Sequence, residues 1–208
     1  MIIGRLPIYW LSEKLTATLG YAHMWKAPAR RDWDTWPDEE RIYQQVQQAS
    51  KIGSVSMLNR LRNEQRWQEK VENDEIGGGY SFSNRVRYLL SFTIPVASNP
   101  QIPSFVLSDE VLVQFGPGVD KNAFDQNRFF VGIKQRLSSS WSFDFGYMPV
   151  LQQKSGGDRY DLNDTFRLFF YFTPNLGGRN RCASRPGPTN RLRRLRLTRA
   201  TAPETCMI

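Results

Sequence analysis

"NRLRNEQR", residues 59–66, sets an ionisable side chain at every second position: Arg60, Arg62, Glu64 and Arg66. A helix, with a period of about 3.6 residues, scatters such a set around its circumference; a strand points all four the same way. The stretch therefore reads as a strand with one densely charged face, and the fold turns on what that face meets.

Working outward, stretches of about 8–13 residues with period-two patterning recur between turn-rich segments. Nine strands are predicted, at about 2–10, 15–25, 40–50, 55–68, 85–94, 104–115, 128–137, 141–151 and 164–173, with no helix. Their connections alternate: 11–14 short, 26–39 long, 51–54 short, 69–84 long, 95–103 of medium length, 116–127 long, 138–140 short, 152–163 long. A soluble sandwich has no reason to keep its long loops at one end. An outer-membrane barrel has, with short periplasmic turns and long extracellular loops.

The faces sharpen the choice. In 85–94, Val86, Tyr88, Leu90, Phe92 and Ile94 oppose Arg85, Arg87, Ser91 and Thr93. In 104–115, Phe105, Leu107, Val111, Val113 and Phe115, interrupted by Asp109, oppose Ser108, Glu110 and Gln114. Phe129, Val131 and Ile133 oppose Arg128, Lys134 and Arg136; Trp141, Phe143, Phe145 and Tyr147 oppose Asp144; Phe166, Leu168, Phe170 and Phe172 oppose Arg167. A soluble sandwich buries its apolar face; a membrane barrel turns it to lipid and keeps the charged face in the lumen. Strand length near ten and aromatics at strand ends (Trp10, Trp25, Trp67, Trp141, Tyr147) favour the barrel. Two strands fit poorly: 40–50 has no apolar face, and 55–68 carries Asn59, Asn63 and Gln65 on its outer side.

The expected fold is thus all-β, an antiparallel up-and-down transmembrane β-barrel. Strand 2–10 leads into a short turn and 164–173 follows a long loop, so about nine strands are present of a native 10 or 12, with an N-terminal strand and signal peptide expected upstream. The start, "MIIGRLPIYW", has no basic n-region, apolar h-region or cleavage site. The longest apolar run, around 168–172, falls far short of the roughly 18 residues of a transmembrane helix.

The formal charge of +8 comes from the end of the chain. Residues 1–175 hold 20 basic and 19 acidic side chains; the remainder holds eight arginines, one glutamate and both cysteines. The barrel domain is therefore assigned to 1–175. Residues 176–208, rich in Arg, Pro and Thr and without strand periodicity, are expected to be a disordered or out-of-frame tail; a basic arm for nucleic acid or anionic lipid is the other reading. No nucleic-acid partner is assigned.

Several segments carry a resemblance. "GRLPIYWLSEKLTATLGYAHMW", "NRLRNEQRW", "NRVRYLLSF" and above all "FDQNRFFVGIKQRLSSSWSFDFGYM" resemble an uncharacterised bacterial outer-membrane family, domain of unknown function 2490. The likeness covers about residues 1–175, most specifically the run Phe124–Arg128 and the hairpin ending in Gly146-Tyr147. It implies a signal peptide, an outer-membrane barrel and a Gram-negative source, and no activity.

The candidate site is the inward face: Arg60, Arg62, Glu64, Arg66, Arg85, Arg87, Glu110, Arg128, Lys134, Arg136, Asp144 and Arg167, with Arg5 beside them. Most other acids, among them Asp32, Asp34, Asp38, Glu39, Glu69, Glu72, Asp74 and Glu75, fall in predicted loops, giving an acidic rim around a basic lumen. Such a lumen either binds or passes small anions or is packed with an Arg–carboxylate ladder, as small barrels are filled by side chains. Enzyme signals are poor. The single histidine, His23, has no serine placed near it by any motif. No metal spacing, cofactor motif or catalytic set is present; "GGG" at 77–79 reads as a freely moving loop, and "DLND" lacks calcium-loop spacing. The expected partners are outer-membrane lipid, lipopolysaccharide included, and small anions; oligomeric state is open. The leading function is a small porin-like barrel at the bacterial outer membrane. The alternatives are a lipid-modifying barrel enzyme and a soluble lipocalin-like carrier.

Overall fold

A computed structural model of the chain describes residues 2–173 other than Ala29 and Pro100, and the backbone alone for residues 2–8 and Trp10. The chain divides into Met1–Pro174 and Asn175–Ile208; the predicted tail, 176–208, lies outside the described residues, as does the side chain of Arg5.

Eight strands form one antiparallel up-and-down sheet in chain order: β2 (Leu15–Trp25), β3 (Asp38–Ile52), β4 (Val55–Glu72), β5 (Glu75–Pro95), β6 (Ser104–Phe115), β7 (Phe124–Arg136), β8 (Trp141–Gln153) and β9 (Tyr160–Phe172). A preceding strand, β1 (Ile2–Trp10), pairs antiparallel along β2. The described residues contain no helix. The expected closed barrel is not what they form: no pairing joins β9 to β1, and the sheet is open. The reason is parity. Eight successive antiparallel pairings leave β1 and β9 running the same way, so the two edges cannot pair antiparallel with each other.

The second correction concerns 69–84, predicted as a long loop. β4 and β5 instead continue through it as one hairpin, closed by Asn73 and Asp74 at φ 52° and 64°. Two left-handed residues make the turn whose twist matches the flanking strands, and Asn and Asp tolerate that conformation best after glycine. "GGG" lies inside β5 rather than in a free loop, and a register shift between Glu69 and Val71 absorbs the irregularity. At 18 and 21 residues, β4 and β5 are longer than β2 by seven or more residues, shared between the two ends, so the hairpin overhangs β2 by roughly 10–15 Å. The alternation of short and long connections is broken at this hairpin. The β2–β3 connection folds onto its tip: both Asp74 carboxylate oxygens accept the Asp34 N–H at 3.0 Å, and Oδ1 also accepts the Thr35 N–H at 2.8 Å.

Smaller extensions carry side chains into the sheet. β3 begins at Asp38, β7 at Phe124 and β9 at Tyr160, so Glu39, Asp125 and the "DLND" segment are strand rather than loop. Burial alternates along the strands, most regularly in β6, where Val106, Ser108, Glu110, Leu112 and Gln114 are buried and their neighbours exposed.

Two aromatic rings line the buried face where glycines leave room. A Cβ on Gly20 would lie 2.0 Å from Tyr43 Cζ, and Cβ atoms on the cross-strand pair Gly132 and Gly146 would lie 2.6 and 2.9 Å from the Phe130 ring. The rings therefore lie against bare backbone, a device that both covers glycine and lets a sheet bend. Each ring carries a guanidinium: Arg62 stands 4.4 Å from the Tyr43 centroid and Arg167 3.5 Å from that of Phe130.

Candidate functional site

The opening stretch lies in β4, and its four charges all enter one buried network. Glu64, 1% exposed, accepts from Arg85 Nε at 2.9 Å and Nη2 at 2.6 Å, and from Arg87 Nη1 at 2.9 Å. Arg62 and Arg41 add charge at 3.6 and 3.7 Å. Glu110 accepts from Arg87 Nε and Nη2 at 3.1 and 2.8 Å and from Arg60 Nη2 at 2.8 Å, with Arg128 at 3.7 Å. Arg87 thus bridges two carboxylates. A side chain with five N–H donors in a planar fork is suited to that task in a way lysine is not.

Glu39, 0% exposed, anchors the long-loop end. It accepts from Arg66 Nε at 3.0 Å and from Arg41 Nε, and Lys26 Nζ stands 3.5 Å from its other oxygen. Arg66 also donates to Gln114 at 3.3 Å, and Arg85 donates to Asp125 at 3.0 Å. Arg62 donates twice to Gln45, at 2.9 and 2.6 Å, and Arg128 once to Gln126, at 2.8 Å. Several of these bonds skip a strand: β4 to β6 and β5 to β7. Arg60 on β4 lies within Coulomb range of Arg167 and Tyr171 on β9. The sheet is therefore curled around its charged face.

A second, looser cluster spans β7 to β9. Tyr171 donates to Asp144 at 2.8 Å; Lys134 and Arg167 approach the same carboxylate at 3.8 and 4.0 Å. Lys134 Nζ also sits 4.6 Å from the Tyr171 ring centroid. Arg136 belongs to neither cluster; it is exposed, and its Nε donates to the Ser138 carbonyl at 3.0 Å. Of the twelve residues expected to face inward, eight meet in the first network and three in the second.

Sequence reasoning missed Glu39, Arg41, Asp125, Tyr43, Phe130 and Tyr171. Glu39 and Arg41 share the parity of Tyr43 and Gln45; Glu39 was hidden because β3 was started two residues late, and Arg41 because 40–50 shows no apolar face to tell its sides apart. Asp125 had no usable signal. Strict alternation places it outward with Phe129, but a bulge against Leu112 and Val113 turns it inward. The acidic rim is correspondingly smaller than expected, since Glu39 is the most deeply buried acid of the inward face.

The outward face reverses the usual order. Phe166 is 76% and Phe105 56% exposed. The polar residues that interrupted it bond one another: Gln44 and Gln65 exchange bonds at 2.9 and 3.2 Å, Asn63 donates to Gln44 at 3.3 Å while its own Oδ1 has no partner among the described residues, and Tyr88 donates to Asn59 at 2.9 Å. His23 lies on this side, 3.6 Å from Asp38 and edge-on to Trp25. Among the described residues no group of three or more His, Cys, Asp or Glu is arranged to hold a metal ion. No helix of the described residues is long and apolar enough to cross a membrane, which says nothing of crossing by strands.

No curated protein and no solved structure matches the chain. One family profile, described as "Protein of unknown function (DUF2490)", matches residues 6–161. That span runs from β1 into β9 and holds all five acids of the two clusters. The chain belongs to this family.

Proposed function

We propose that the chain is the greater part of a Gram-negative outer-membrane β-barrel, its charged face turned to the lumen and its aromatic face to lipid. On this reading it acts as a small porin-like barrel with a net-basic lumen that binds or passes anions. The observation that carries the reading is the inversion of burial: carboxylates and guanidinia are the buried groups, while phenylalanines from β6 to β9 stand exposed. In water each exposed Phe forgoes roughly 1.5–3 kcal/mol of burial, and each buried charge costs several kcal/mol unless paired. Lipid outside and paired charges inside remove both penalties. Antiparallel closure of β9 onto β1 takes one further strand, which accords with an even-numbered barrel of 10 or 12.

The soluble-carrier alternative is disfavoured by the same observation, because its bore would need to be apolar. The lipid-modifying alternative draws only on His23 and Asp38, without a nucleophile. The test is refolding of the chain, extended by the N-terminal strand that antiparallel closure requires, into detergent and into vesicles, followed by electrophoresis with and without boiling. A heat-dependent change in mobility is expected. A protein that stays soluble in plain buffer and shows no such change would overturn the membrane reading.

A further inference from the structure

Lys134 and Arg136 stand two residues apart on β7 and so share its inward face. The register sets a hydroxyl opposite each: Ser104 of β6 faces Lys134, and Ser142 of β8 faces Arg136. These four border a cavity of about 440 Å³ between the β5–β6 and β7–β8 turns, reached also by Thr173 just past β9. No carboxylate lines it, while seven of its fourteen lining residues carry a hydroxyl.

The contrast with the first network is chemical. There, every guanidinium has a carboxylate or amide oxygen to bond. Here, Lys134 Nζ is 3.8 Å from Asp144, beyond hydrogen-bond reach, and Arg136 spends only its Nε on the Ser138 carbonyl. Two cations and a set of hydroxyl donors, with no competing acid in the wall, are complementary to a tetrahedral oxyanion: it takes charge-assisted bonds from the cations and neutral ones from the hydroxyls. The cavity is several times larger than inorganic phosphate, so it has room for a phosphate bearing an organic substituent.

We propose that this pocket is a binding site for a phosphate group, either free or as part of a lipid headgroup. The proposal goes beyond the barrel reading, since the pocket is built from described residues whether or not the sheet closes.

The test is ³¹P line broadening on the full chain folded in non-ionic detergent, with inorganic phosphate and short-chain phosphatidylglycerol as separate probes. Saturable broadening of inorganic phosphate assigns the pocket to a free solute; saturation by the lipid alone assigns it to a headgroup. Lys134→Gln with Arg136→Gln should weaken binding at least about tenfold, while Arg159→Gln, on an exposed turn remote from the pocket lining, should leave it unchanged. Ser142→Asp removes no cation but sets a carboxylate opposite Arg136, and should weaken binding likewise. It decides the matter if the double variant fails to give the far-ultraviolet β signal of the parent. Saturation by neither probe, or binding by folded variants equal to that of the parent, overturns the proposal.

Discussion

Glu64→Gln separates a packed interior from a water-filled one. The substitution keeps the shape of the side chain and removes the charge that Arg85 and Arg87 bond at 2.6–2.9 Å and that Arg62 and Arg41 face at 3.6 and 3.7 Å. Asp125 is left as the carboxylate partner of Arg85, and Glu110 as that of Arg87. Breaking a buried pair from one side costs about 3–5 kcal/mol, because the other charge stays buried. Gln retains one acceptor, so the lower end, about 3 kcal/mol, is expected. With a urea m-value of about 2 kcal/mol/M, the unfolding midpoint falls by about 1.5 M. The assay is urea unfolding in vesicles, read from the heat-modifiable band. Adding Arg85→Gln removes the cation that has lost the nearer of its two carboxylates, so the double variant should lose less than the sum of the single losses. A midpoint shift equivalent to less than about 1 kcal/mol, the usual worth of a hydrated ion pair, would refute the packed interior and leave a water-filled lumen in its place.

Two further outcomes test the outward face and the hairpin tip. Phe145→Arg, midway along β8 on the exposed side, should cost about 2–4 kcal/mol in vesicles if the residue meets the bilayer interior; an unchanged refolding yield and unfolding midpoint would place that face in water. At the tip, bonds from the Asp34 and Thr35 backbone hold the Asp74 carboxyl below its ordinary value of 3.8. A depressed folded-state value means that the clamp contributes fully above pH 3.8 and loosens as the pH falls through the depressed value. Acrylamide quenching of Trp33 and Trp36 should therefore be constant from pH 7 to pH 5, rise in stronger acid, and be high at every pH in Asp74→Asn. Quenching that rises already between pH 7 and pH 5 would refute the assignment to Asp74.

The strands were legible where side-chain parity was strict. "NRLRNEQR" placed four charges on one face, and all four meet in the structure, because period two is enforced by the pleat itself. β6 was legible for the same reason. Legibility failed where the backbone departed from that period. Asn73-Asp74 and the three glycines after it look like a loop in composition, yet left-handed residues at a two-residue turn are what a long hairpin requires. Asp125 is turned inward by a bulge, a local event that composition does not signal. Glu39 was lost to a boundary set two residues late, and a carboxylate at the first inward position of a strand cannot be told from a loop acid by its type alone. The partners of each arginine were illegible throughout. Arg60 finds Glu110 two strands away, and such pairings depend on how far the sheet curls rather than on any spacing along the chain.

The charge balance divides the inward face into two unlike regions. Glu39, Glu64, Glu110 and Asp125 all lie among β3 to β7, where they are bonded by Arg41, Arg60, Arg66, Arg85 and Arg87. Lys134 and Arg167 toward β9 share one acid, Asp144, whose Oδ1 has no hydrogen-bond partner among the described residues, and Arg136 bonds only the Ser138 carbonyl. A filled ladder and a cation-rich mouth call for different compensation. The first is compensated by direct pairing and gains rigidity from it. The second needs water or anions, since two cations around one carboxylate, with a third, Arg136, nearby and bonded to no acid, repel one another at a cost that solvent or a bound anion offsets. If both act in one barrel, exchanging a paired cation alters stability, whereas exchanging Lys134 or Arg136 alters anion binding with little loss of stability. That difference follows from where the acids sit, not from the number of arginines.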